Sequence, residues 1–260
     1  MELIDTHCHL TFDDLAQDID GVIERSRKAG VTGWITVGTD MRENQKAVEL
    51  TARFENLYAA VGIHPHDART VIGETISELK TLAWDPKVVA IGETGLDYHY
   101  NHSLRHEQRR AFARHLEIAA ELNLPVIIHC RKAFDETVEI LHQYGRDVKK
   151  IVWHCFSASA EQAQILIPKG YYFSFTGVVT FKNAEKTRKA AAVIPLDRLM
   201  LETDCPYMSP EPMRKQKINE PALMVHTAEF LAHLKGLSLE DFAAATTAAA
   251  KAFFNLPDNQ

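Results

Sequence analysis

Apolar residues along this chain follow two periods. Eight short runs, at positions 3–6, 33–37, 58–62, 88–92, 126–128, 151–153, 171–175 and 199–201, are rich in Val, Ile, Leu, Tyr and Phe. Most alternate poorly with polar residues, which suits strands buried on both faces of a parallel sheet. Between the runs the period lengthens to that of a helix. Leu15, Ile19, Val22, Ile23 and Ser26 share one face, and Gly30 follows as a stop. Phe112, His115, Leu116 and Ala119 repeat the pattern within 108–122, as do Val138, Leu141 and His142 within 133–144. Segments 159–167, 184–193, 221–234 and 239–254 read as further helices.

The apolar runs recur about every 30 residues, the length of a βα unit. Eight such units close a barrel, whereas an open doubly wound sheet usually stops short of that number. The pattern therefore predicts an α/β fold, a (β/α)8 TIM barrel, as one domain over residues 1–260. The eighth unit carries a longer loop, 208–219, with prolines and basic residues.

Composition adds constraints without changing the fold. A net charge of −6 leaves no global basic footprint for wrapping a duplex, although local basic sites remain open. Residues 1–10 contain Glu2 and Asp5 and lack the basic and apolar blocks of a signal peptide. No apolar run approaches the length of a membrane span. The cysteines, Cys8, Cys130, Cys155 and Cys205, form no CxxC pair, which favours a reduced, cytoplasmic chain. Nothing points to an obligate protein partner.

In a barrel of this kind the chemistry sits at the C-terminal ends of the strands. There the chain places His7 and His9, then His64 and His66 in GIHPH, and Glu93 and Asp97 in GETGLD. His129 and Arg131, His154, and Glu202 and Asp204 in ETDCP complete the set. A His-x-His pair on a strand points both rings to one side, because the side-chain period is two. By the same parity the four cysteines turn away and pack between strand and helix. Convergence of His, Glu and Asp from separate strand ends predicts two divalent metal ions (Zn, Mn, Mg, Ni or Co), the imidazoles favouring the transition metals.

Glu93 suits a bridge, since a shared anion offsets the repulsion of two dications about 3.5–4 Å apart. Asp204 could ligate one metal and accept the proton of the attacking water. His102, His106, His115, His142, His226 and His233 read as ordinary helix and loop histidines. Tyr98 and His99 read as a solvated loop, and Tyr207 as packing.

The motifs DTHCHL at 5–10, GIHPH at 62–66, GETGLDY at 92–98, HCRKA at 129–133, HCFSAS at 154–159 and ETDCP at 202–206 resemble the TatD family of metal-dependent hydrolases. The resemblance runs through essentially the whole chain, with six motifs in order. It implies a metal-dependent phosphodiesterase of the 3′-to-5′ deoxyribonuclease type. By the resemblance, His7, His9 and Asp204 look like ligands of one metal, His129 and His154 of a second, with Glu93 bridging. His64 is similar to the family histidine that approaches the scissile phosphate. In the wider amidohydrolase-like superfamily the bridge is often a modified lysine, so Glu93 sides with the TatD branch. One departure is Ile218 in KINEP, where some members carry a basic residue, so a phosphate contact there would pass to Arg214, Lys215 or Lys217.

Arg131 lies two residues past His129 and so shares its side. Its fork suits a phosphate oxygen, or it pairs with Glu202 or Asp97. Among the other basic residues, Arg188 and Lys189 read as an ordinary helix face. Arg214, Lys215 and Lys217 in the long loop suit a strand backbone. The acidic balance favours binding nucleic-acid ends, single-stranded DNA first, in a pocket. The same metals and water can attack a carbonyl, so the alternative is an ester or amide hydrolase of the lactonase, amidase or aminoacyl-tRNA deacylase type.

Overall fold

The structure is a computed structural model, and it describes residues 1–257. The chain runs β1 (Leu3–Cys8), α1 (Asp13–Ala16), α2 (Ile19–Lys28), β2 (Val31–Val37), α3 (Met41–Thr51), β3 (Leu57–Val61) and α4 (Gly73–Leu82). It continues through β4 (Val88–Asp97), α5 (Arg105–Leu122), β5 (Val126–Arg131), α6 (Phe134–Tyr144), β6 (Ile151–Trp153), α7 (Ala160–Leu166) and β7 (Tyr172–Phe175). The last elements are α8 (Glu185–Val193), β8 (Leu199–Leu201), α9 (Met224–Lys235) and α10 (Leu239–Phe254). The eight strands form one sheet in the order β1 to β8, and helices separate successive strands. This is the (β/α)8 arrangement that the apolar runs predict.

The chain packs as two compact units, one of Met1–Thr36 with the chain from Cys155 onward, the other of Val37–His154. In the first, β7 pairs with β8 and β1 with β2, all parallel. The ends of β8 and β1 are tied by the Thr6 hydroxyl, which donates to the Leu201 carbonyl at 2.9 Å. The face predicted from Leu15, Ile19, Val22, Ile23 and Ser26 is buried, but across two helices, α1 and α2. The Ser26 hydroxyl also accepts the indole N–H of Trp34 at 2.8 Å, so this polar residue belongs to the core.

In the second unit β3, β4, β5 and β6 pair in parallel. Here two strands run well past the C-terminal ends of their apolar runs. β4 reaches Asp97 and β5 reaches Arg131, so Glu93, Asp97 and His129 stand within strands rather than beyond them. The cause is tertiary. Gly95 has φ +139, and a Cβ there would meet the His129 carbonyl oxygen at 2.1 Å. Only glycine lets β4 press this closely against β5, and pairing then continues through Gly95↔His129 and Asp97↔Arg131.

The end of β3 is held by side chains. Asn44 of α3 brackets Gly62, its Nδ2 donating to the Gly62 carbonyl at 2.8 Å and its Oδ1 accepting the Gly62 N–H at 3.0 Å. The next N–H, of Ile63, donates to His115 Nε2 at 3.0 Å, and His115 Nδ1 lies 2.7 Å from the Ala111 carbonyl. His115 is thus a hydrogen-bonded core histidine, in keeping with its place on the apolar face of α5. One ring nitrogen accepts and the other donates, which fits the neutral imidazole. Burial pushes its pKa down to about 4, against the pull of the Ala111 carbonyl.

That neutrality sets a pH dependence. The unfolded chain takes up a proton at His115 near pH 6.5, whereas the folded chain resists until about pH 4. Stability is therefore lost as pH falls from 6.5 to 4, by up to about 3 kcal/mol from this residue. Denaturant midpoints of His115→Gln should fall less steeply through this window than those of the wild-type protein. Identical slopes would show that His115 is not the group responsible.

Candidate metal centre

Two clusters of potential ligands stand at strand ends, one in each unit. In the first, His7 Nε2 and His9 Nε2 lie 3.3 Å apart. Asp204 Oδ1 is 3.3 Å from His9 Nε2 and 3.7 Å from His7 Nε2. The strand period puts both rings on one side, as the His-x-His spacing predicts. Cys8 turns the other way, and its thiol donates to the Ile35 carbonyl at 3.3 Å. Asp204 adopts a left-handed conformation with φ +53, and its N–H donates to the His7 carbonyl at 2.9 Å. A non-glycine residue bears that φ at some cost, so its neighbours must hold it there.

Asp5 does much of that holding. It shares the parity of His7 and His9, yet its carboxylate accepts the Thr203 N–H at 3.0 Å and the Thr203 hydroxyl at 2.6 Å. It is fully buried, and burial pushes its pKa up to about 7 despite the bonds from Thr203. Glu202 is likewise structural. It accepts the Cys155 N–H and the Ser174 hydroxyl, each at 2.6 Å.

The second cluster is built around one oxygen of Glu93. His129 Nδ1 lies 2.7 Å from Glu93 Oε1, His154 Nε2 3.3 Å and His64 Nε2 3.7 Å. His129 Nε2 is 3.1 Å from Asp97 Oδ2, and His66 Nε2 is 3.2 Å from the same oxygen. Burial opposes charge on both His129 and Asp97, but their mutual hydrogen bond, with the neighbours of each, outweighs it. The imidazole is shifted upward and the carboxyl well below the usual carboxylate range.

The donor geometry fits cations. His7, His9 and Asp204 offer ligand atoms within 4.8 Å of one another, and so do His64, Glu93 and His129. A tetrahedral shell with bonds of about 2.1 Å separates its donors by about 3.4 Å. The 3.3–3.7 Å spacings of the first cluster match that, and its N, N, O composition suits a divalent transition metal.

Arg131 is exposed, and its guanidinium lies over the Tyr100 ring, 4.7 Å from the centroid. Tyr98 corrects the expectation of a solvated loop, since it is buried and its hydroxyl donates to Glu136 at 2.8 Å. Tyr207 is 54% exposed rather than packed away. Cys130 packs between strand and helix, near Thr137 of α6, whereas Cys155 turns toward Thr176 and Met208. Arg188 is no ordinary helix-face cation, because it donates to the carbonyls of Phe181 and Lys182. Asp97 and His66, which the sequence sets among the strand-end residues without a ligand role, join the second cluster. Glu93 and Asp97 share a parity within β4, whereas His66 lies beyond β3 in a 3-10 turn, where strand parity gives no signal.

Eight βα units in sequential order, with imidazoles and carboxylates gathered at strand ends, define a metal-dependent hydrolase of the (β/α)8 class. A sequence model described as TatD related DNase matches residues 4–255. The uncharacterized metal-dependent hydrolase YabD of Bacillus subtilis is 41% identical over 98% of this chain and 99% of its own length. The 3′-5′ ssDNA/RNA exonuclease TatD of Shigella flexneri is 36% identical over 98% and 99%, respectively. The crystal structure of YJJV, a TatD homolog from Escherichia coli, superposes with a TM-score of 0.92 at 30% identity, covering 98% of each chain. The chain belongs to the TatD family of metal-dependent hydrolases. No helix among the described residues is long and apolar enough to cross a membrane.

Cations held only by the folded chain raise its stability, by about 2.7 kcal/mol at a concentration 100 times Kd. The thermal midpoint should rise when Mn2+ is added to chelator-stripped protein, and Asp204→Asn should shrink that rise. A midpoint indifferent to metal would contradict the assignment of these clusters.

Proposed function

We propose that this hydrolase removes nucleotides from the 3′ ends of single-stranded DNA or RNA. The reading takes His7, His9 and Asp204 as residues that would hold one divalent cation, and Glu93, His129 and His154 as residues that would hold another. When bound, such cations supply positive charge for a phosphate and acidify water. The observation that carries the reading is the pair of N/O donor clusters, one buried and one half-buried, within a chain 36% identical to a 3′-5′ ssDNA/RNA exonuclease along nearly all its length.

The chain's own residues then divide the work. Asp204 takes the proton of the attacking water. His64, partly exposed and 3.7 Å from Glu93, approaches the scissile phosphate. Arg131, braced on Tyr100, presents its fork to a phosphate oxygen. In the long loop Arg214 is held over Phe181, 3.7 Å from the ring centroid. Lys215 and Lys217 are exposed beside Ile218, so they are placed to take a contact to the strand backbone. A few local cations on an otherwise acidic chain favour a strand end over a duplex surface. One hydrolase domain acting in the reducing cytoplasm accounts for the family match and for the four free cysteines.

With Mn2+ or Mg2+, 5′-labelled single-stranded DNA and RNA should shorten stepwise from the 3′ end. KM should rise steeply between about 50 and about 200 mM salt. Lys215→Ala with Lys217→Ala should raise KM several-fold and flatten that salt slope, while Asp204→Asn should lower kcat by about a thousandfold or more. Efficient cleavage of lactones or amides with oligonucleotides left intact would contradict the proposal.

A further inference from the structure

We propose that Asp97 is a positioning carboxylate, which sets the His129 proton on Nε2 and turns Nδ1 toward the cation. The inference rests on the reading of His129 as a metal ligand and extends it to a residue outside the ligand set. His129 lies between two carboxylates, with Nδ1 2.7 Å from Glu93 Oε1 and Nε2 3.1 Å from Asp97 Oδ2. His154 also approaches that Glu93 oxygen, at 3.3 Å. The Nδ1 edge is therefore the one that faces Glu93 and His154, the residues read as ligands.

Asp97 is placed so that it can only accept. It is buried at 1% exposure. Its Oδ1 accepts the N–H groups of His99 and Tyr100, each at 2.9 Å. Its backbone is clamped by the buried Gln108, whose Oε1 accepts the Asp97 N–H at 2.8 Å and whose Nε2 donates to the Asp97 carbonyl at 3.1 Å. Oδ2 is then directed at the imidazoles of His129 and His66. A carboxylate faces each ring nitrogen, so a cation that displaces the proton from Nδ1 would leave the neutral ring with its one proton on Nε2, where Asp97 accepts it. That leaves the Nδ1 lone pair for a cation, the arrangement in which an outer carboxylate orients a ligating histidine.

Asp97→Asn separates this role from a structural one. The asparagine Oδ1 still accepts the two backbone N–H groups, but its Nδ2 donates toward His129 and drives the proton onto Nδ1. Calorimetric titration of metal-free protein with Mn2+ should show one of two binding steps weakened about 10–100-fold in Asp97→Asn. It should be the step that His129→Asn abolishes, while the step lost in Asp204→Asn stays unchanged. Folded Asp97→Asn with both steps within about twofold of wild type would overturn the inference while leaving the metal reading standing. If His129→Asn also kept both steps, the metal reading itself would fall.

A second measurement needs no variant at Asp97 to fold. Long-range 1H–15N spectra of the Zn2+-loaded wild-type protein should show His129 protonated at Nε2, its signal assigned by its loss in His129→Asn. A proton on Nδ1 would overturn the inference.

Discussion

Buried lone pairs crowded against one another are the constraint on which this structure depends. Two imidazole nitrogens 3.3 Å apart with a carboxylate oxygen beside them, and a second carboxylate oxygen ringed by three imidazoles, cannot be solvated in the usual way. Such groups are tolerated in a protein interior only when protons or cations satisfy them. Much of the rest serves to keep them in place. Asp5 fastens Thr203 beside Asp204, Asn44 and His115 fasten the residues before His64, and Gln108 fastens Asp97 behind His129.

The same pattern explains why the scaffold spends buried polar residues far from any reacting atom. Asp5, Asn44, Gln108 and His115 are all essentially inaccessible to solvent. Each satisfies backbone groups at a strand end, where the ladder of hydrogen bonds runs out. A strand end finished by side chains can stop at a defined residue and aim the next one. A preorganised site needs that precision, because side chains set by loops alone are held less exactly than those set by packed elements.

Much of the fold is legible in the sequence, because buried parallel strands leave dense apolar runs. The runs at 151–153 and 199–201 match β6 and β8 residue for residue. The pairing of His7 with His9 is legible because period-two parity sets them side by side. What cannot be read locally lies in tertiary contacts. The extension of β4 to Asp97 depends on the close approach that Gly95 permits, which no local pattern encodes. The buried faces of α3 (Asn44, Ala47, Thr51) and α4 (Thr75, Leu79) are made largely of small and polar residues, which leave no dense apolar stripe in the sequence. The role of His115 depends on an N–H far away in sequence, that of Ile63. Exposure is the hardest to anticipate, as Tyr98 and Tyr207 exchange their expected places.

A two-cation centre requires metal at both clusters. Crystals grown with Mn2+ and measured on both sides of the manganese absorption edge test this directly. Two anomalous peaks are predicted, each about 2.0–2.3 Å from its ligand atoms. One should be bonded to His7, His9 and Asp204 and the other to Glu93, His129 and His154. Bound manganese elsewhere, with both clusters joined only by hydrogen bonds to water and to one another, would contradict it.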